Sequence, residues 1–144
     1  MQLGLRKDVK KMATHVAVVG VVKLWDNRIL LLKRNLQRRT SPGKWQSPSG
    51  FMKEGESAEE AVLREIKEET SLDGTIIRSG NSFEVVDEWG RWIIVPLLIS
   101  VTSENVVIDP KEHSDFKWLV ADNISNWECV KGLDEDLRAV GLKS

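Results

Sequence analysis

The stretch from Gly50 to Leu72, GFMKEGESAEEAVLREIKEETSL, constrains the fold of this chain more than any other. It holds seven glutamates against Lys53, Arg64 and Lys67, a local net charge of −4 in a chain whose overall net charge is −1. Ser57 followed three residues later by Glu60 is a capping-box pattern that starts a helix. Ala58, Ala61, Val62 and Ile66 supply an apolar stripe at helical spacing. The pattern predicts a helix over 57–70, and five of the seven glutamates fall on it. Upstream, Pro48-Ser49-Gly50 and Gly55 mark a loop that turns sharply. A helix with one apolar stripe must bury it on a sheet or on another helix.

Glu65, Glu68 and Glu69 stand at i, i+3 and i+4, so their side chains converge on one helix face. Like charges at that spacing repel one another. Two readings compete: a solvated acidic face with ordinary ion pairs, or hard oxygen ligands for a divalent cation. The surroundings favour the second. Arg64 precedes Glu68 by four residues and is placed to pair with it or to reach back to Glu56. A glycine turn, a capped helix and a carboxylate triplet in its last turns suit a metal-bound diphosphate.

The segment resembles the Nudix box: a glycine, five residues, Glu, seven residues, then Arg-Glu-hydrophobic-x-Glu-Glu-x-Gly-hydrophobic. The matching positions are Gly50, Glu56, Arg64, Glu65, Ile66, Glu68, Glu69, Ser71 and Leu72, and every charged position agrees. Ser71 replaces the usual glycine just after the helix, where a left-handed conformation is common. Ser49 replaces a glycine often found just before the box. The motif covers 23 of 144 residues, and the length and element order of the rest are similar to a minimal Nudix domain.

That resemblance implies an α/β (α+β) fold, a Nudix-type α/β/α sandwich with a mixed sheet between helices. It implies two or three Mg²⁺ ions, with Mn²⁺ as an alternative, held by Glu65, Glu68 and Glu69. A backbone carbonyl near Ser49 or Gly50 would add a ligand. It gives Arg64 the role of orienting the cluster and Glu56 that of tying the loop to it. Many members carry a loop glutamate before an aromatic strand, as a metal ligand or general base. Glu112, ahead of His113-Ser114-Asp115-Phe116-Lys117-Trp118, fits that place, and an ordinary loop acid is the competing reading. His113 itself reads as an exposed polar loop residue.

At 144 residues the chain is expected to form one domain. Residues 1–12 read as a basic tail without the apolar core of a secretory signal, and residues 13–144 as the domain. No apolar run reaches the roughly 20 residues that span a bilayer. The single cysteine, Cys129, cannot form an intrachain disulfide, which favours a reducing cytoplasm; it reads as a small apolar residue.

Strands are expected at His15–Lys23, Arg28–Lys33, 75–78, 82–86, Trp92–Val101 and 115–119, and a closing helix at Asp134–Val140. Residues 34–49 read as a long polar loop. Pro96 interrupts an apolar strand and argues for a bulge or an unpaired position.

Arg34, Arg38, Arg39 and Lys44 flank the loop before the box. They either hold a substrate's phosphates or form a solvated basic loop. Six tryptophans and no tyrosine are present. Trp25, Trp92 and Trp118 read as core, and Trp45 as loop packing. Trp89 at a predicted hairpin tip can stack a nucleobase, and Trp127 can do the same or seal a dimer. Together they favour a nucleotide over an inositol phosphate. Subfamily marks are missing: the nearest proline beyond the box is Pro96, and Trp89 stands where diadenosine-polyphosphate relatives carry tyrosine.

The leading expectation is a Mg²⁺-dependent hydrolase of a nucleoside diphosphate linked to another moiety: an NTP or dNTP, ADP-ribose, a dinucleoside polyphosphate or a nucleotide sugar. The alternative is a non-catalytic nucleotide sensor, against which the complete Arg64-Glu65-x-x-Glu68-Glu69 set speaks. An isomerase of a prenyl diphosphate would need an active-site cysteine, and Cys129 lies far beyond the box. The net charge of −1 supplies no broad nucleic-acid surface. Monomer and homodimer both stay open.

Overall fold

In β1 (Thr14–Lys23), β-branched residues alternate between two covered faces, and that makes it the central strand. Val18 and Val22 pack with one cluster and Val21 with another. The computed structural model describes residues 13–144; the expected tail at 1–12 lies outside them. β1 runs parallel to β7 (Gly90–Ser100) along its whole length, from Thr14 opposite Arg91 to Lys23 opposite Ser100. Its other edge is shared. Near the turn it meets β2 (Ile29–Arg34), with Lys23 opposite Ile29. Further back it takes β4 (Ser49–Phe51), with Val18 opposite Gly50. β3 (Trp45–Gln46) follows β1 along the same edge of β2, and β8 (His113–Leu119) takes its opposite edge. The eight strands form one mixed sheet.

β5 (Thr75–Ser79) and β6 (Phe83–Asp87) both pair with the far edge of β7. Ser79 pairs with Leu97 and Phe83 with Ile94, so Pro96 falls at the break where one neighbour gives way to the next. A residue without an N–H is tolerated there. Its carbonyl still accepts from Gly80 N–H at 2.8 Å. The register shift lies in β5, between Ile76 and Arg78, and not at Pro96.

Helix α1 (Ala58–Thr70) covers one face of the sheet through Ala61, Val62 and Ile66. It sits close: a Cβ on Gly20 would meet Ile66 Cδ1 at 2.9 Å. The other face is covered by a 3-10 helix (Ala121–Asn126) and α2 (Leu133–Ala139), with Ile124, Leu133 and Leu137 buried. Helices on both faces of a mixed sheet give the expected sandwich. No helix among the described residues is long and apolar enough to cross a membrane.

The sequence-based expectations need four corrections here. The segment 34–49 is not a continuous loop, because it contributes β3 and the start of β4. His113 is wholly buried in β8 and not exposed. Trp25 is 85% exposed, since it occupies the β1–β2 turn, where nothing covers it. Trp92 and Trp118 are half-buried; Trp118 packs at the edge of the α1-side core and Trp92 lines a hollow described below.

Candidate active site

The box begins with a glycine because α1 leaves no room for a side chain. A Cβ built on Gly50 would fall inside the Glu65 carboxylate, so only glycine lets that acid lie against β4. The helix start is the predicted capping box: Ser57 Oγ accepts from Glu60 N–H and Glu60 Oε1 from Ser57 N–H, each at 3.1 Å. The helix ends at Ser71 with φ 63°, the left-handed conformation glycine usually supplies, and Ser71 N–H donates to Lys67 O at 3.0 Å. Serine carries a local strain there without altering an acid.

Arg64 is the hub. Its Nε donates to Glu56 Oε2 at 2.6 Å and its Nη2 to Glu56 Oε1 at 2.9 Å. Nη2 also reaches Phe51 O at 3.0 Å. Nη1 donates to Glu65 Oε1 at 2.8 Å and Glu68 Oε2 at 3.2 Å. One guanidinium thus ties the glycine loop to two acids of the helix. The pair with Arg64, joined by Lys53 N–H at 2.6 Å, pulls the Glu56 carboxyl down to about 2, and the same pair raises Arg64.

Glu69 lies deepest, 7% exposed, with Oε2 accepting from Ser49 N–H at 3.1 Å. Burial holds its carboxyl well above the usual range, and the Glu65 charge adds to this. Burial also raises Glu65, against the pull of Arg64. Glu65, Glu68, Glu69 and Glu112 line one open cleft of about 480 Å³. Glu112 is held there by Arg38 Nη1 at 2.6 Å. Asp109 joins it from the same loop.

Arg34 and Arg38 line the same cleft. Arg34 is 7% exposed. Its Nε donates to Thr40 O at 2.9 Å, Nη2 to Thr40 Oγ1 at 2.6 Å and Nη1 to Gln46 Oε1 at 2.9 Å. Burial, then Arg38, lower it to about 10, so it stays charged at neutral pH. The Gln46 amide donates to His113 Nε2 at 3.1 Å, and burial lowers His113 to about 4. A neutral imidazole therefore backs the amide that fixes Arg34.

Three expected binding residues stand apart. Arg39 and Lys44 are exposed and line neither the cleft nor the cavity beside it; of the four basic residues only Arg34 and Arg38 do. Trp89 occupies the two-residue β6–β7 turn, beyond the paired residues, and lines neither hollow. Trp92 does, being held within the sheet opposite His15. Its ring lies 4.5 Å from that of His15 and 6.2 Å, near parallel, from that of Phe51, which also lines the cleft. Trp45 is buried and meets Trp127 edge-on at 5.1 Å, so both serve as packing.

Sequence reasoning missed Gln46, Asp109 and a second hollow lined by Asp136. That cavity, of about 130 Å³, shares Ala17, Arg34, Gln46 and Trp92 with the cleft. Asp136 carried a signal: an acid on the apolar stripe Leu133, Leu137, Val140 of the closing helix.

The donor set fits a hard divalent cation. One buried and one half-buried carboxylate, both raised, stand beside two further acids, a set of oxygen ligands whose negative charge Arg64 and Arg38 offset only in part. As they stand, no three acid, histidine or thiol groups among the described residues converge on one point, because Arg64 draws Glu65 and Glu68 while Ser49 N–H holds Glu69. The fit rests on charge and ligand chemistry.

The sequence matches the NUDIX domain over residues 14–136. The chain belongs to the Nudix family. It is 32% identical to the uncharacterized Nudix hydrolase YvcI of Bacillus subtilis, over 87% of this chain and 81% of that protein. It is 45% identical over 71 residues to an ADP-ribose pyrophosphatase of Methanocaldococcus jannaschii, covering 46% of this chain and 40% of that protein. The chain thus spans well under two thirds of that relative. Its fold is that of a MutT protein from Methanosarcina mazei Go1, with a TM-score of 0.75 at 23% identity over 88% of this chain and 91% of that one. Nudix hydrolases generally use divalent metal ions.

Proposed function

We propose that this Nudix protein hydrolyses the diphosphate linkage of a nucleoside diphosphate joined to another moiety, by attack of water at phosphorus. The observation that carries this reading is the cleft in which Glu65, Glu68, Glu69 and Glu112 face Arg34 and Arg38. The acids suit cations, and the arginines suit phosphate oxygens.

Glu65, Glu68, Glu69 and Glu112 would hold Mg²⁺ or Mn²⁺, two or three ions, with a carbonyl of Ser49 or Gly50 as a further donor. Bound there, the metal neutralises phosphate oxygens and lowers the pKa of water. Glu69, deep and desolvated, takes the central place among the ligands. Glu112 is the one acid of the four outside the helix and is assigned as ligand or general base. Arg64 touches no substrate; it positions Glu65 and Glu68. Arg34, pre-set by Thr40 and Gln46, receives a phosphate without reorganising, and Arg38 shares itself between Glu112 and a second one. Phe51 and Trp92 offer flat apolar surface to a ring.

The name of the archaeal relative supports a pyrophosphatase, with ADP-ribose as one substrate to try. We further assign residues 13–144 to one domain and place the protein in the cytoplasm.

The test is a panel of ADP-ribose, diadenosine polyphosphates, normal and oxidised deoxynucleoside triphosphates and nucleotide sugars. Each is incubated with Mg²⁺ in ¹⁸O-water and resolved by mass. The reading requires turnover of at least one member, stopped by chelator, with the label in a phosphate product. Label in a sugar or other carbon product would contradict attack at phosphorus.

A further inference from the structure

Arg34, Gln46 and His113 form a buried row of hydrogen bonds that ends on an unpaired atom. β2 lies between β3 and β8, and Gln46 and His113 meet across it. His113 Nδ1 is fully enclosed and has no hydrogen-bond partner among the described residues. Buried polar atoms are nearly always satisfied, so such an orphan needs a physical cause.

The cause is Arg34. A guanidinium only donates, so the Gln46 atom that meets Arg34 Nη1 at 2.9 Å is the carbonyl oxygen Oε1. That leaves the Gln46 NH₂ group facing His113 Nε2 at 3.1 Å. Two donors cannot pair, so Nε2 is bare and the single ring hydrogen sits on Nδ1. The opposite tautomer would set N–H against N–H at Nε2, or turn the amide over and aim its NH₂ at the guanidinium. Either would oppose two buried donors, one of them charged in the second case. The arrangement present leaves one neutral N–H unpaired, at the end of the row away from Arg34.

Arg34 is thereby set for an anion. Of the five N–H groups of a guanidinium, Thr40 O, Thr40 Oγ1 and Gln46 Oε1 take three. One remains on each terminal nitrogen, and guanidinium N–H groups in pairs suit phosphate oxygens.

We propose that His113, as the tautomer with its hydrogen on Nδ1, is a positioning residue for phosphate binding: its bare Nε2 locks the Gln46 amide, and the amide aims Arg34. His113 touches no substrate and acts only through Gln46. The assignment rests on the phosphate-binding role given to Arg34 above, and neither test below needs turnover.

The first test reads the tautomer by long-range ¹⁵N–¹H correlation of the imidazole rings. The chain has two histidines, His15 and His113, and the His113→Gln variant identifies the signals of the second. In wild type the hydrogen should sit on Nδ1. In Gln46→Glu a carboxylate that only accepts faces the ring, and a hydrogen should appear on Nε2. The second test is calorimetry with methylenediphosphonate, a diphosphate that water does not cleave, in the presence of Mg²⁺. His113→Gln supplies a carbonyl oxygen to the amide and should bind within about threefold of wild type. His113→Leu leaves the amide without an acceptor and should weaken binding about ten- to a hundredfold. In a Gln46→Leu background, His113→Leu should cost nothing further.

A hydrogen on Nε2 in wild type, or a tautomer unchanged by Gln46→Glu, would overturn the assignment. So would additive losses from the two leucine substitutions, equal binding by His113→Leu and wild type, or no measurable binding by wild type. The tautomer decides even where a leucine variant does not fold. A hydrolysis panel without turnover would sink the hydrolase reading and leave both results standing.

Discussion

Two residue positions decide whether the acids of the cleft stand where they do. Gly50→Ala should cut turnover sharply, because the new Cβ competes with the Glu65 carboxylate for one volume; thermal melts and turnover measured together check this. Wild-type turnover would contradict the close approach. Arg64→Lys should lose on the order of ten- to a hundredfold in activity. A lysine cannot reach Glu56 twice while also meeting Phe51 O, Glu65 and Glu68. The sign of a pH effect follows from Asp136. Its folded pKa of about 8 exceeds the ordinary 3.8, so the folded state holds the proton more tightly. Its contribution is complete below about pH 4 and is lost as pH climbs to 8. Asp136→Asn should therefore gain on wild type in urea denaturation over that window, by up to about 1.4 kcal/mol per pH unit. Parallel pH profiles would contradict burial of the acid. At this scale the charged residues of the box were readable because their spacing is fixed within one helix. Gln46 and Trp92 were not, since their role comes from pairings with Leu32 and His15, which no local pattern announces.

Among the elements, α1 and the long strands were readable to within a residue or two because capping and periodicity are local. β3 and β4 have two and three residues, too few to show a period, and exist only through pairing with β2 and β1. Pro96 was rightly read as an interruption, yet the bulge lies on β5, because the edge of β7 changes partner there. The seat of α1 on the sheet makes its own prediction. Ile66 is fully buried against Gly20. Ile66→Ala should destabilise by about 2–5 kcal/mol. It should also lower activity, since the neighbouring Glu65 and the next turn's Glu69 ride on the same helix. Denaturation with a parallel activity assay checks both, and a stability change alone would mean the acids do not depend on that packing.

Over the whole molecule, the sheet brings residues of several strands, one helix and two loops to a single cleft. β4 supplies Ser49 and Gly50, α1 the three box acids, the β2–β3 loop Arg38, and the segment before β8 Asp109 and Glu112. The fold stands on apolar clusters on both faces of the sheet, apart from the acids. Chelation should therefore abolish activity while leaving far-ultraviolet circular dichroism unchanged, and added Mg²⁺ should restore it. Loss of structure on chelation would contradict that separation. On the proposed reading, the buried acid of α1 drives hydrolysis in this cleft. It is tested most directly by turnover of the best panel substrate in wild type against Glu69→Gln, with the fold verified by thermal melting. The expected result is a loss of a hundredfold or more, on the order expected for removing a transition-state electrostatic group, in a variant that melts no lower than wild type because burial already disfavours the charged carboxylate that glutamine replaces. Turnover retained within a few fold would contradict it.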